Sequence, residues 1–367
     1  MTQGALTGLR LIEMGQLIAG PFCGQLMGDH GAEVIKIEPP EVGDAMRSWG
    51  QGIPLWFSVV GDFLLENFRP GTMEKWGLDY ETLSAINKGL IMIRVSGYGQ
   101  TGPYSHRAGY GGIGEAMGGM RYIMGEPDRP PSRAGLSIGD SLAATYACLG
   151  GLMALEHRHK TGEGQVVDSA IYEAVLANME STIAEYTVAG HIRERTGSIL
   201  PKIAPSNVYP TSDGSILIGG NQDSVWKRMA AMMGRPELGE DPRYATHVAR
   251  GENQTELDEL IMEWTKGIKS QELLDMCEEH GVPAGNVYRA PEMLEDPHFK
   301  AREALVEMDH PQHEHFVMQN VAPKLSKTPG HIDSVGPDLG AHNEAVYGEL
   351  LGMDSAKMND LRERGII

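Results

Sequence analysis

The pattern of hydrophobic and polar positions predicts alternating strands and helices in the first third of the chain. Short apolar runs at residues 9–13 (LRLIE), 32–37 (AEVIKI) and 90–95 (LIMIRV) are typical of buried parallel strands, and a helix that begins at Pro21 separates the first two. A further apolar run, residues 62–67 (DFLLEN), predicts another strand. This alternation indicates an α/β fold built on a parallel sheet.

Asp140 stands at the start of the next strongly patterned segment. A long helix rich in Ala, Gly and Leu is predicted at residues 141–157, followed by a strand at residues 165–167. A carboxylate at the start of a helix stays ionised and fixed in direction, because free backbone N–H groups and the positive end of the helix dipole face it. This position suits a covalent nucleophile, and it suits a helix cap equally well.

The middle of the chain has a different pattern, which predicts a second domain. Residues 199–210 resemble a loop, and residues 216–218 predict a strand that ends in a glycine pair. The remaining predicted elements are helices at residues 222–233, 252–266, 270–280 and 343–351 and a strand at residues 323–327. We expect residues 1–190 to form the N-terminal part of a large domain, residues 200–300 a small domain, and residues 310–367 a return to the large domain.

Composition and charge narrow the function without naming it. The chain has 367 residues and a formal net charge of −19, which argues against nucleic acids and anionic membranes as partners. Its three cysteines, Cys23, Cys148 and Cys277, form neither a disulfide framework nor a metal-ligand pattern. The cysteine pattern therefore gives no reason to expect a metal site. We find no signal sequence and no apolar run of membrane-spanning length, so we expect a cytoplasmic protein.

Three local motifs predict less than they first suggest. Residues 109–114 (GYGGIG) match the spacing of a dinucleotide-binding loop but do not follow a strand, which favours a flexible turn. The histidines at residues 309–315 lie in a polar stretch broken by proline, which favours a solvated loop over a metal site. Ser96, Ser137 and Ser141 lack the surroundings of a hydrolase nucleophile.

Six motifs in one order are far more specific. They are residues 15–21 (GQLIAGP), 33–39 (EVIKIEP), 66–71 (ENFRPG), 96–104 (SGYGQTGPY), 139–140 (GD) and 161–165 (TGEGQ). From residue 9 to the C-terminus, the chain resembles the family III CoA-transferases, a group that includes formyl-CoA transferase, carnitine CoA-transferase and α-methylacyl-CoA racemase. The resemblance implies a Rossmann-like large domain with a parallel sheet, a smaller α+β domain and an interlocked homodimer.

The resemblance also implies the reaction. Asp140 matches the catalytic aspartate, which attacks an acyl-CoA thioester and passes the CoA to a small organic acid, including dicarboxylic acids, through an aspartyl anhydride and an aspartyl-CoA thioester. CoA thioesters are then substrates, and no tightly bound cofactor is expected. Gln16 matches a position beside the thioester. Gly219 and Gly220 resemble a mobile loop that covers the intermediate, where glycine N–H groups can face a developing oxyanion.

Five further residues are candidates for binding CoA. Asn67, Phe68 and Arg69 match a turn that contacts CoA in the family, where Phe packs on pantetheine or adenine and Arg pairs with phosphate. Lys36 and Arg47 are cations that suit the other phosphates. As isolated charges, either is more commonly solvated.

Tyr110 is the last candidate residue and separates the branches of the family. The racemases carry a histidine and then an aspartate here, whereas this chain has Tyr110 and Gly111. Tyrosine is a poor base near neutral pH, so acyl transfer is favoured over proton exchange. A racemase-like isomerase and a non-catalytic CoA-binding relative stay open as alternatives.

The chain departs from the family pattern at Gly61. Family members usually carry another strand and a crossover helix there, whereas here Val60, Gly61 and Asp62 join the flanking segments directly. The loss raises the question of whether the shortened lobe still binds CoA, and keeps the non-catalytic alternative open.

The acceptor acid cannot be identified from the sequence. Arg193, Arg195 and Lys202 are candidates to hold the distal carboxylate of a dicarboxylic acid, although a solvated basic stretch is the favoured explanation.

Overall fold

The computed structural model describes residues 4–45 and 66–367. The chain divides into two compact units. The large unit contains Met1–Arg121, Ala134–Ile192 and His298–Ile367, and the small unit contains Tyr122–Arg133 and Arg193–Pro297. Arg47, the junction at Gly61 and most of the strand predicted at residues 62–67 lie outside the described residues.

The described residues form a mixed α/β structure. The strands are β1 Arg10–Glu13, β2 Glu33–Lys36, β3 Met92–Ser96, β4 Val166–Ala170, β5 Ser206–Pro210, β6 Ser215–Gly219, β7 Ala284–Asn286, β8 Leu305–His310 and β9 His313–Gln319. The helices as far as residue 189 are α1 Ala19–Gly28, α2 Thr72–Lys75, α3 Tyr80–Ile86, α4 Gly111–Met117, α5 Met120–Ile123, α6 Ile138–Thr161, α7 Ile171–Leu176 and α8 Thr182–Ala189. The remaining helices are α9 Asp223–Met232, α10 His247–Glu252, α11 Gln254–Thr265, α12 Ser270–Glu279, α13 Ala290–Glu295, α14 Pro297–Ala301 and α15 Ser355–Glu363, with a 3₁₀ turn at Pro236–Gly239 and a π-helix at Glu344–Leu350.

Parallel strand pairs form two of the sheets in the described part of the large unit, as the sequence predicted. Strand β1 pairs with β2, and β3 pairs with β4. Glu66, at the end of the predicted strand 62–67, forms an isolated parallel bridge with Arg94 of β3. The carboxylate of Glu66 also forms a buried ion pair with the Arg94 guanidinium. The α/β interpretation is therefore confirmed.

Small side chains bring α1 against α6 in the core of the large unit. Ala19, Cys23 and Met27 of α1 share one buried cluster with Ala143 and neighbouring alanines of α6. Alanine on one helix allows the backbone of the other to approach closely. Gln16 lies in the turn that precedes α1, and Asp140 lies in the first turn of α6.

Helix α6 corrects one expectation from the sequence. Among the described residues, it is the one helix long and apolar enough for a membrane span by length and composition, whereas we expected no such run. A core helix meets the same criteria, and α6 carries Asp140 in its first turn and basic residues in its last turn. The finding is therefore weak evidence for a membrane.

The glycine run at residues 109–114 is the start of a helix, so the predicted flexible turn is wrong. Gly114 and Gly118 face α7 so closely that an added Cβ would lie 2.4 Å from Ile171 and 2.6 Å from Val175. Glycine is required at these positions because the two helices touch, and no nucleotide is needed to explain the motif.

The small unit has an antiparallel sheet, β5-β6-β7, with helices around an apolar core. The core residues that are largest and fully buried include Trp226, Tyr209, Tyr244 and Met229.

The C-terminal part of the large unit differs from prediction. Strands β8 and β9 form an antiparallel hairpin across the histidine-rich stretch, which we expected to be a solvated loop. Alternation explains the hairpin, because Phe316 and Met318 of β9 are buried while their neighbours are more exposed. The strand predicted at residues 323–327 is absent from this described segment, and the helix predicted at 343–351 is the π-helix Glu344–Leu350.

Candidate active site

Asp140 lies in the first turn of α6 and is not its cap. The helix begins at Ile138 with Ser137 at the N-cap position, so Asp140 is the third helical residue. The interpretation of Asp140 as a helix cap is therefore wrong, although its carboxylate still lies near the positive end of the helix dipole. Asp140 is half-buried.

Gly111 lies against the Asp140 carboxylate. A Cβ added to Gly111 would lie 2.1 Å from Oδ2 and 2.7 Å from Cγ of Asp140. Gly111 is buried at the start of α4 and follows Tyr110, whose side chain is 69% exposed. The space that the carboxylate occupies therefore exists only because residue 111 has no side chain. Sequence reasoning had treated this glycine only as a missing aspartate.

Glu115 supports the residue next to Asp140. Its side chain is buried, and its Oε1 accepts a hydrogen bond from the Gly139 N–H at 3.3 Å. Its Oε2 accepts a hydrogen bond from Arg121 at 2.5 Å. Helix α4 therefore contacts two successive residues at the start of α6, Gly139 through Glu115 and Asp140 through Gly111. The sequence offered no signal for Glu115 beyond its spacing of four residues from Gly111.

The motif at residues 96–104 holds the segment before α4. Gly97 and Gly109 approach so closely that an added Cβ at Gly97 would lie 2.8 Å from the Gly109 Cα. The Gly99 N–H donates to Ser96 Oγ at 2.9 Å, and the Gln100 N–H donates to Asp168 Oδ2 at 2.8 Å. These glycines have a structural role, because the two backbone segments touch.

The Gln16 turn is the second candidate part of the site. The Gln16 N–H donates to Asn67 Oδ1 at 2.9 Å, and Asn67 Nδ2 donates back to the Gln16 carbonyl at 2.7 Å. The side-chain amide of Gln16 forms no hydrogen bond to any residue that the structure describes, and the residue is half-buried. Its amide thus remains able to bind a substrate oxygen.

The side chain of Lys36 is buried beside carboxylates, and is not exposed as a phosphate-binding residue would be. Its ammonium group donates to Glu13 at 3.0 Å and to the Gly15 carbonyl at 3.0 Å, and it pairs with Asp44 at 3.1 Å. Burial lowers the pKa of Lys36, but the two carboxylates outweigh burial, and the pKa is raised overall. A buried ammonium group with these partners has no donor left for a phosphate, so the structure contradicts that role.

The predicted CoA-contacting turn is present in the large unit. The ring of Phe68 packs edge-to-face on Trp76 with the ring centroids 5.1 Å apart. Arg69 is exposed, and its guanidinium has no ion pair or hydrogen bond to the described residues. Both side chains therefore remain candidates for binding CoA.

Gly219 and Gly220 lie in the small unit at the end of β6. The Gly219 N–H donates to the Pro283 carbonyl at 2.9 Å, and the Gly220 N–H donates to the Pro205 carbonyl at 2.8 Å. Both donors are used within the fold, which contradicts their proposed role as oxyanion donors in this conformation. An added Cβ at Gly220 would also lie 3.0 Å from Pro205, so this glycine allows close packing.

Arg250 is a residue that sequence reasoning missed in this part of the small unit. Its fully buried guanidinium donates to the Asn221 carbonyl at 2.7 Å, to the Asp223 carboxylate at 2.7 Å and to the Ala204 carbonyl at 3.0 Å. The buried guanidinium of Arg250 therefore holds the turn that follows Gly219 and Gly220. Its only signal in the sequence was an arginine in an otherwise ordinary helix.

Of the basic residues proposed for the acceptor carboxylate, Arg195 has a partner within the small unit. Arg195 donates to the Tyr122 carbonyl at 2.9 Å, and its guanidinium lies 5.4 Å from the centroid of the Tyr122 ring. Lys202 is exposed, and Arg193 also has an interaction partner. Among residues 4–45 and 66–367, no group of three His, Cys, Asp or Glu residues is arranged to hold a metal ion.

Comparisons with known proteins give one consistent result. The sequence model of a family described as CoA-transferase family III matches residues 6–62 and 59–343. The succinyl-CoA–D-citramalate CoA-transferase of Chloroflexus aurantiacus is 53% identical, over 99% of this chain and 98% of the relative. The beta subunit of the succinyl-CoA–L-malate CoA-transferase of the same organism is 38% identical over 99% of this chain and 98% of the relative. A solved CAIB/BAIF family protein from Brucella suis is 32% identical, with a TM-score of 0.84 over 95% of this chain and 100% of that protein.

These comparisons also bear on the short connection at Gly61. The two segments matched by the family model meet at residues 59–62. The alignment with the citramalate relative spans 393 positions, more than the 367 residues of this chain. The relative therefore carries residues that this chain lacks.

Proposed function

The chain belongs to CoA-transferase family III and is a CoA-transferase, and we propose that it moves CoA from succinyl-CoA to a small hydroxydicarboxylic acid of the citramalate class. The single observation that carries the choice of substrates is the 53% identity, over nearly the full length of both chains, to a relative named for succinyl-CoA and D-citramalate. The next relative is named for succinyl-CoA and L-malate, which is also a hydroxydicarboxylic acid.

Asp140 is the nucleophile in this proposal. One carboxylate oxygen attacks the succinyl-CoA carbonyl, the C–S bond breaks, and CoA leaves as a thiolate while a succinyl-aspartyl anhydride forms. The thiolate then attacks the aspartyl carbonyl, which releases succinate and leaves an aspartyl-CoA thioester. The acceptor carboxylate attacks the carbonyl of this thioester, the C–S bond breaks, and an anhydride between the acceptor and Asp140 forms. The released CoA thiolate then attacks the acceptor acyl carbon and displaces the Asp140 carboxylate. The products are the new CoA thioester and the Asp140 carboxylate.

The geometry of the large unit supports this role of Asp140. The absence of a side chain at Gly111 leaves room for the Asp140 carboxylate, and Glu115 accepts a hydrogen bond from the backbone of the preceding residue, Gly139. We propose that the side-chain amide of Gln16 donates to the oxygen of the thioester carbonyl as negative charge develops there. Phe68 and Arg69 are proposed CoA contacts, whereas Lys36 is not.

We also propose an oligomeric state and a cellular location for the protein. A homodimer and a cytoplasmic location accord with the family and with substrates of this kind. Size-exclusion chromatography with light scattering tests the dimer, and a folded monomer would contradict it.

Incubation of the protein with succinyl-CoA and a panel of acids tests the substrates. We expect a new CoA thioester, separated by chromatography, with D-citramalate or L-citramalate and a weaker product with L-malate. Formate serves as the control acid because it lacks a second carboxylate. Transfer to formate alone would overturn the proposed acceptor class while leaving the CoA-transferase activity in place.

Asp140→Asn tests the nucleophile. We expect transfer to be abolished with the fold retained, while Asp275→Asn, a change of the same kind at an exposed residue of the small unit, stays active. With an acceptor labelled with ¹⁸O in its carboxylate, the last step leaves one heavy oxygen on Asp140, which mass spectrometry of the peptide detects. An active Asp140→Asn enzyme or an unlabelled aspartate would contradict the mechanism.

The same reaction in deuterated water tests the racemase-like alternative. Proton exchange at the α-carbon of the acyl group without CoA transfer would favour an isomerase. Binding of CoA with neither reaction would favour a non-catalytic relative.

A further inference from the structure

The main chain at residues 15–17 is held by side chains from three other parts of the large unit. Lys36 donates to the Gly15 carbonyl at 3.0 Å. Asn67 bonds to both the N–H and the carbonyl of Gln16. Asp44 accepts the Leu17 N–H with both carboxylate oxygens, at 2.9 and 3.2 Å. Three successive residues are therefore anchored from outside the turn.

The backbone of this turn is strained at Leu17. Its φ is +64°, in the left-handed region that bulky residues rarely adopt. Such a conformation persists when the surroundings impose it. The two hydrogen bonds from the Leu17 N–H to Asp44 act at the strained residue itself.

A buried ionic cluster carries these anchors. The side chains of Glu13, Lys36 and Asp44 are 0%, 4% and 1% exposed. Removing charges from water is costly, and well-packed apolar side chains would often serve stability as well. The cluster fixes a conformation, because Lys36 contacts the turn directly and also holds Asp44, which contacts the next part of the turn.

The anchored turn presents the Gln16 side chain, whose amide has no hydrogen-bond partner among residues 4–45 and 66–367. The main-chain groups of Gln16 are both bonded to Asn67, whereas its amide makes no hydrogen bond to the described residues. We infer that Lys36, Asp44 and Asn67 are positioning residues that fix the Gln16 amide for the thioester oxygen. This inference rests on the proposed function, and it gives Lys36 and Asn67 roles other than contact with CoA.

A double-mutant cycle with Gln16 and Asn67 tests the inference in the full-length enzyme. We expect kcat to fall about 100-fold in Gln16→Ala, because one oxyanion donor is lost. We expect a fall of about 10- to 100-fold in Asn67→Ala with KM for succinyl-CoA little changed, because the amide is misplaced. The double variant should be no slower than Gln16→Ala, since Asn67 then has nothing left to position.

The ionic cluster needs its own control, because Lys36→Met removes a buried charge and can impair folding. Arg10→Met is the matched change: Arg10 pairs with Glu33 across the same two strands as Glu13 and Lys36, but at an exposed end. We expect kcat to fall in folded Lys36→Met and to stay unchanged in Arg10→Met. If Lys36→Met does not fold, Asp44→Asn takes its place, since it keeps one oxygen for Leu17 but loses the charge.

Three results would overturn the inference. The first is a raised KM with unchanged kcat in Asn67→Ala, which would indicate direct contact with CoA. The second is a double variant in which the two losses of activation free energy add fully. The third is wild-type kcat in Gln16→Ala. Failure of the proposed function looks different, since the wild-type enzyme would then form no new CoA thioester with citramalate or malate.

Discussion

Replacement of Gly111 by alanine should displace the carboxylate of Asp140, the proposed nucleophile, without harming the fold. An added Cβ would lie 2.1 Å from Asp140 Oδ2, and real Cβ atoms essentially never approach another heavy atom closer than 3.0 Å. The clash falls on the end of a side chain and not on backbone, so the carboxylate can rotate away. The helix itself should gain slightly, because alanine favours a helix over glycine by roughly 0.5–1 kcal/mol.

The magnitude follows from the distance that the carboxylate must move. Relief of the clash requires a displacement of about 0.9 Å, and a misplacement of about 1 Å costs on the order of 100-fold in rate. We therefore expect kcat for CoA transfer to fall about 100-fold in Gly111→Ala, equivalent to about 2.7 kcal/mol in activation free energy. KM for succinyl-CoA should change little, since Gly111 touches the carboxylate and not the proposed CoA turn.

Steady-state kinetics with succinyl-CoA and citramalate provide the assay, and Gly112→Ala is the matched control. The neighbouring Gly112 lies on the same helix, and its added Cβ would meet only Arg121 at an ordinary 3.6 Å. Urea unfolding should show that both variants are folded. Wild-type kcat in Gly111→Ala would refute the reasoning, as would an equal loss in Gly112→Ala.

Three further predictions concern stability. Arg250→Met should cost about 3–5 kcal/mol in urea unfolding, because the carbonyls of Ala204, Tyr244 and Asn221 lose their hydrogen-bond donor, and a cost below about 1 kcal/mol would contradict this. Burial raises the pKa of Asp29 from its ordinary 3.8 to about 6, so the folded state holds more protons in this window and stability falls as pH rises through it. When unfolding is measured from pH 4 to 7, the wild-type protein should lose up to about 3 kcal/mol of unfolding free energy that Asp29→Asn does not lose. Parallel pH profiles for the two proteins would contradict this prediction. Gly164→Ala should cost at least about 2 kcal/mol, because its Cβ would lie 1.8 Å from the Leu90 carbonyl oxygen, and an unchanged melting temperature would count against this.

Much of the large unit follows from local pattern. Strands β1, β2 and β3 coincide closely with the predicted apolar runs. Strand β3 is fully buried, as expected for a parallel strand with consecutive apolar residues, whereas β1 and β2 are partly exposed. The hairpin β8-β9 was missed because charged residues and histidines occupy its exposed positions, and the proline between the strands hid the alternation.

The roles of charged residues depended on their neighbours. Lys36 looks the same in the sequence whether it binds a phosphate or two buried carboxylates, and only the pairing of β1 with β2 places Glu13 beside it. Glu115 and Arg250 had no local signal, since burial and partners are set by elements distant in sequence.

The sequence by itself determined the family and the order of the motifs, and it singled out Asp140 as the candidate nucleophile, because these depend on residue type and spacing. Tertiary structure alone decided that Gly111 makes room for the carboxylate, that the turn at Gln16 is anchored by Lys36 and Asn67, and that Tyr122–Arg133 belongs to the small unit. The physical reason is that close contact and burial join residues far apart along the chain, whereas pattern and propensity report only on neighbours.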